Sequence, residues 1–65
     1  MTALTIDILE AILKSQLQIE NAVMERLKVR QNAYDTDNIR DLISITDVKL
    51  IEIRRQIKFI EEHQE

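Results

Sequence analysis

Neither glycine nor proline occurs anywhere in these 65 residues. Those two residues are the strongest local helix breakers, and sharp turns ordinarily rely on them. A chain without either runs as helix until weaker signals stop it. The one such stretch is Tyr34-Asp35-Thr36-Asp37-Asn38. Asp, Asn and Thr side chains compete for backbone hydrogen bonds and are preferred helix N-caps. A turn is therefore expected at about 34–37, with helix 1 over about 5–33 and helix 2 over about 37–62. The fold class is all-α: an antiparallel, coiled-coil-like two-helix hairpin forming one domain over 1–65, completed by self-association or by a partner protein. The alternative is one continuous helix that bends slightly at the polar stretch.

Local charges agree with this division. Thr5 is placed to cap helix 1, with Asp7 and Glu10 near its positive end and Arg26, Lys28 and Arg30 near its negative end, the favoured arrangement for a helix dipole. Thr36 or Asp37 is placed to cap helix 2. Its far end is unfavourable, because Glu61, Glu62 and Glu65 crowd it. That end is expected to fray or to be neutralised by a neighbour.

The faces carry more apolar surface than two helices can hide. One row of helix 1 reads Ile6, Leu9, Leu13, Leu17, Glu20, Met24, Leu27, Gln31, Tyr34, and a second row beside it reads Ile8, Ile12, Ile19, Val23. An ordinary amphipathic stripe is a little over 100° wide; this one covers about half the cylinder. Helix 2 shows a seam with steps of three and four, the coiled-coil spacing: Ile39, Leu42 or Ile43, Thr46, Leu50, Ile53, Ile57, Ile60. The expected hairpin seam thus takes Leu9, Leu13 and Leu27 from helix 1 and Ile39, Leu50, Ile53, Ile57 and Ile60 from helix 2. Ile45, Val48 and Phe59 form a second stripe roughly 140° from that seam at 100° per residue. One partner helix covers the first stripe and leaves the second bare. Ile45, Val48 and Phe59 are therefore the candidate partner-binding residues.

Size and composition narrow the means of stabilisation. Scaffolds this small usually need disulfides, a metal or a partner chain. Cysteine is absent, and the single histidine, His63, stands close to the end. Neither a disulfide nor a thiolate metal site is available, and no cofactor is expected. A partner chain is left. No apolar run of about 18 residues is present to span a membrane. The opening Met1-Thr2-Ala3-Leu4-Thr5-Ile6-Asp7 lacks the basic region of a signal peptide, so a cytoplasmic location is expected. The net charge of −3 argues against nucleic acid as the partner, since nucleic-acid binders usually carry a basic surplus.

No catalytic constellation is assembled, and the chain reads as a non-enzyme. Ser15 and Ser44 have no histidine placed to activate them. No phosphate loop, metalloprotease or EF-hand pattern occurs. Asp37 and Asp41 read as capping and dipole residues. Gln16, Glu20 and Thr46 fall within apolar arcs, where polar groups can set register or partner choice; these are the specificity candidates. Glu20 should lie opposite the middle of helix 2, around Lys49 to Arg54, where a basic partner is available. Arg26, Lys28, Arg30, Arg54, Arg55 and Lys58 point several ways and alternate with acids, as on a solvated charged face.

In outline, most of the chain resembles the small helical-hairpin co-chaperones of type III secretion needle subunits. The resemblance rests on the opening Met1-Thr2-Ala3-Leu4, the basic end of helix 1, the polar turn Asp35-Thr36-Asp37-Asn38, and the run Ile53-Arg54-Arg55-Gln56-Ile57-Lys58-Phe59-Ile60. It implies an antiparallel hairpin that pairs with a larger helical chaperone and helps cover an aggregation-prone helix. In size and topology the chain is also similar to plasmid-encoded RNA-binding hairpin dimers. The expected function is accordingly a non-catalytic co-chaperone or adaptor that binds helical partners or its own copy. The alternative is a homodimeric four-helix-bundle regulator that binds RNA or DNA.

Overall fold

The computed structural model describes residues 3–63, leaving Met1, Thr2, Gln64 and Glu65 outside the account. It is an antiparallel hairpin of two helices, α1 (Ala3–Ala33) and α2 (Asp37–Glu62). The rod measures 47 × 14 × 13 Å, its length matching about 46 Å for a helix of α1's size at 1.5 Å per residue. The radius of gyration is 14.9 Å, well above the roughly 10.7 Å of a compact domain of this length. With only two helices, no residue can be enclosed from all sides.

Tyr34, Asp35 and Thr36 make the turn. No described residue has a positive φ, so the left-handed helix ending that usually calls for glycine is not used. Tyr34 N–H still donates to the Arg30 carbonyl at 2.7 Å, and Thr36 N–H folds back to the Tyr34 carbonyl at 3.1 Å. Thr36 itself is extended (φ −106°, ψ 160°) and caps α2, its hydroxyl accepting from Ile39 N–H at 3.3 Å. At the other end α1 begins by Ala3, so Thr5 lies inside the helix and does not cap it. Ala3 and Leu4 are good helix formers, and nothing there stops the helix. α2 closes on His63, whose backbone N–H donates to the Ile60 and Phe59 carbonyls.

Both inward faces follow an unbroken alternation of threes and fours. On α1 the buried and half-buried residues are Ile6, Glu10, Leu13, Leu17, Glu20, Met24, Leu27 and Gln31. On α2 they are Ile39, Ile43, Thr46, Leu50, Ile53, Ile57 and Ile60. Matched outward from the turn they form seven layers: Gln31–Ile39, Leu27–Ile43, Met24–Thr46, Glu20–Leu50, Leu17–Ile53, Leu13–Ile57 and Glu10–Ile60. The two members of each layer are equally far along the chain from Asp35. The Glu20–Lys49 ion pair across the helices, at 4.0 Å, agrees with this register.

Two details differ from the hydrophobic pattern. Leu9 is 36% exposed, and Glu10 takes the inward position beside it. Continuing the spacing of Leu13, Leu17, Met24 and Leu27 toward the N-terminus lands on residue 10. Glu10 holds its charge at the rim, 3.1 Å from Lys14 Nζ. On α2, Ile43 turns inward and Leu42 is left exposed. The residues most removed from solvent are Leu50, Thr46, Leu13, Ile57 and Met24. Among the described residues Thr46 is the one buried polar residue, and no buried side-chain nitrogen or oxygen there lacks a partner.

Candidate interaction surface

The seven-layer register decides which outward residues share a side of the rod. Stepping around each helix at 100° per residue, Leu9, Ile12, Gln16, Ile19, Val23, Arg26 and Arg30 of α1 fall on one long side, and Ile8 stands on the back of α1. Leu42, Ile45, Lys49, Glu52, Gln56 and Phe59 of α2 fall on the same side. The surface grooves agree with that assignment. One at mid-length is lined by Gln16, Ile19 and Glu20 from α1 and by Lys49, Glu52, Ile53 and Gln56 from α2. Another, toward the open end, joins Leu9 and Leu13 to Arg55, Gln56, Phe59 and Ile60. A third runs along α1 over Ile8, Ala11, Ile12, Ser15, Gln16 and Ile19.

The opposite long side is built differently. It carries Asp7, Glu10, Lys14, Asn21, Glu25, Lys28 and Asn32 from α1, and Arg40, Asp47, Arg54, Lys58 and Glu61 from α2. Leu4 and Ile51 are the large apolar residues among them. The hairpin is thus two-sided: one flank is mostly apolar, interrupted by Arg26 and Arg30 near the turn and by Lys49 and Glu52 at mid-length, and the other is mostly charged.

The partner-binding candidates occupy this frame unequally. Ile45, Val48 and Phe59 are all exposed. Ile45 and Phe59 lean toward the apolar flank, whereas Val48 stands on the back of α2, facing away from α1. Phe59, 61% exposed, has its ring stacked on that of His63, 4.1 Å between centroids. His63 Nδ1 lies 2.7 Å from the Phe59 carbonyl, so the histidine braces the end of α2 beside the ring. The larger part of the apolar flank comes from α1, through Leu9, Ile12, Ile19 and Val23, all exposed. Tyr34 is exposed at the tip and does not fold over the turn.

The specificity candidates separate as well. Thr46 sits buried in the seam opposite Met24. Glu20 is half-buried and paired with Lys49. Gln16 is exposed and lines the mid-length groove. Lys49 and Glu52 stand one helical turn apart beside it.

The strongest polar construction lies at the tip, where sequence reasoning placed only a turn. Arg40 donates through Nε to Asp35 Oδ1 at 2.9 Å and through Nη2 to Oδ2 at 2.6 Å, a bidentate pair that clasps the turn onto α2. Gln31 Nε2 donates to the same carboxylate from α1 at 3.3 Å. The Arg40 hydrogen bonds, then that of Gln31, hold the Asp35 carboxyl below the ordinary carboxylate range. The same pairing raises Arg40. Asp35 therefore ties together the last turn of α1 and the first of α2.

No group of three or more histidine or acidic residues placed to hold a metal ion occurs among the described residues. No described helix is long and apolar enough to cross a membrane. No protein-family model matches this chain, and no curated protein or solved structure matches it.

Proposed function

We propose that the hairpin is a non-catalytic protein–protein interaction module that offers its apolar flank to other helices. One observation carries this reading: the exposed Leu9, Ile12, Ile19, Val23, Ile45 and Phe59 lie along one flank, whereas the opposite flank is mostly charged. Contiguous apolar surface on a small chain marks an interaction site. A rod 47 Å long with a shallow central groove suits an extended helix, as in helix-in-groove recognition. The finer form of the proposal is a cytoplasmic co-chaperone of the type III secretion needle kind, in which a foreign, polymerising helix occupies that flank. The resemblance at the turn and along residues 53–60 supports it.

The nucleic-acid alternative gains nothing from the geometry. Lys14 pairs with Glu10, Lys58 with Glu62 and Arg55 with Glu52, so the basic residues stand interleaved with acids.

Phe59→Asp tests the proposal. The substitution lies outside the seam, so helicity by circular dichroism stays largely intact, while association measured by sedimentation is abolished. A variant that stays fully associated refutes the assignment of this flank.

A further inference from the structure

The total area says how much surface is left bare. The hairpin exposes 5344 Å², whereas a compact monomer of 7.7 kDa exposes about 4,300 Å². The surplus, about 1,000 Å², is close to the roughly 800 Å² that each partner contributes to a standard interface.

The charges at mid-length on the apolar flank say what fits there. Lys49 and Glu52 stand at the middle of α2 (Asp37–Glu62), one turn apart, beside the mid-length groove. A twofold interface presents the same patch from both sides, so each residue must suit its symmetry mate. A twofold axis perpendicular to the rod, passing between Lys49 and Glu52, sets the Lys49 of each copy against the Glu52 of the other. It also lays Leu42, nearer the turn, over Phe59, nearer the open end, brings Ile19 close to its own counterpart, and sets the aliphatic stem of Arg26 beside Ile12. A parallel arrangement instead places Lys49 against Lys49, which is unfavourable.

Resting on the reading of this flank as an interaction surface, we propose that a second copy of the chain covers it. The two hairpins lie antiparallel about an axis between Lys49 and Glu52 and form a four-helix bundle. A foreign helix would then bind by displacing the second copy.

The test combines mass with distance. Sedimentation equilibrium of the full chain at tens of micromolar should give twice the 7.7 kDa chain mass. Because the chain has no cysteine, single spin labels can be placed cleanly at Gln56→Cys, beside the axis, and at Asn32→Cys, on the charged flank near the turn. From 1.5 Å per residue and helices 8–10 Å apart, the antiparallel bundle puts the label pairs at about 20 Å and about 40 Å. Glu52→Lys should weaken the dimer at least about tenfold at low salt, because it faces Lys49 of the other copy. A short distance at both label sites overturns the antiparallel arrangement, and a monomer without dipolar coupling overturns the second copy as occupant. In that case an apolar dye separates the two ideas. Dye binding that Ile19→Asp removes leaves the interaction flank standing, and no dye binding refutes both.

Discussion

Leu50 and Ile51 are neighbours in sequence with opposite surroundings, and they give the sharpest test of the seam. Leu50 is 4% exposed and lies in the central layer with Glu20. Ile51 is 48% exposed and sits on the charged flank, away from both the seam and the apolar flank. Truncating either to alanine removes three carbon atoms, about 2.4 kcal/mol of transfer free energy if the side chain is fully buried. At Leu50 nearly all of it is lost, and the cavity adds more, so Leu50→Ala should cost about 3–4 kcal/mol. At Ile51 about half is realised, and alanine's better helix propensity returns a few tenths, so the net cost is under about 1 kcal/mol. A single small core rarely supplies more than about 3–5 kcal/mol. Leu50→Ala should therefore leave much of the chain unfolded at 25 °C, and Ile51→Ala should stay folded. Urea titrations followed by circular dichroism at 222 nm, at one fixed chain concentration, measure both. Equal losses, or a larger loss at Ile51, would mean that α2 is rotated from the orientation described and that the seven-layer register is wrong.

Three further outcomes follow from the turn and the seam. Asp35 is held below the usual carboxylate pKa by Arg40 and Gln31, so its contribution is present above the unfolded value near 3.8 and is lost as pH falls through the lower folded value. NMR titration of the Asp35 carboxyl should show that depression, and Arg40→Gln should remove most of it. Thr36→Ala deletes the hydroxyl that accepts from Ile39 N–H and should cost about 1 kcal/mol, read as a lower urea midpoint with unchanged slope. Thr46→Val replaces a hydroxyl in the seam by a methyl group and should raise stability by up to about 0.8 kcal/mol through added apolar burial; a loss instead would show that the hydroxyl helps to hold the register.

The two helices and the place of the turn can be read from the chain because nothing but Asp35 to Asn38 opposes helix there. The α2 seam can be read too, since its inward positions are all Ile or Leu apart from Thr46. α1 is harder. Its apolar residues are spread over two faces, and its inward positions include Glu10, Glu20 and Gln31. Hydrophobicity therefore favours Leu9, whereas the spacing imposed by pairing with α2 selects Glu10. The Asp35–Arg40 clasp escapes a periodicity reading because five residues is not a helix-surface spacing; it depends on the path of the turn. The two-sidedness of the rod also emerges only after the register joins the faces of both helices.

The odd distribution on α1 has an energetic consequence. Three of its eight inward positions are polar, while Ile8, Ile12, Ile19 and Val23 are spent outside the seam. The seam alone is weakened by that choice, and the outer flank is strengthened by it. Whatever covers the flank binds the folded hairpin and not the unfolded chain, so it adds RT ln(1 + [L]/Kd) to stability, about 2.7 kcal/mol at a hundredfold excess over Kd. That is a large share of what a core of this size provides. Folding and association should therefore be coupled, with a midpoint of thermal unfolding that rises with chain concentration in the wild type. Ile19→Asp, which disrupts the flank without touching a seam layer, should lower that midpoint and make it independent of concentration. A wild-type midpoint that does not move with concentration would show that the seam suffices alone, and that the apolar flank of α1 contributes nothing to keeping this chain folded.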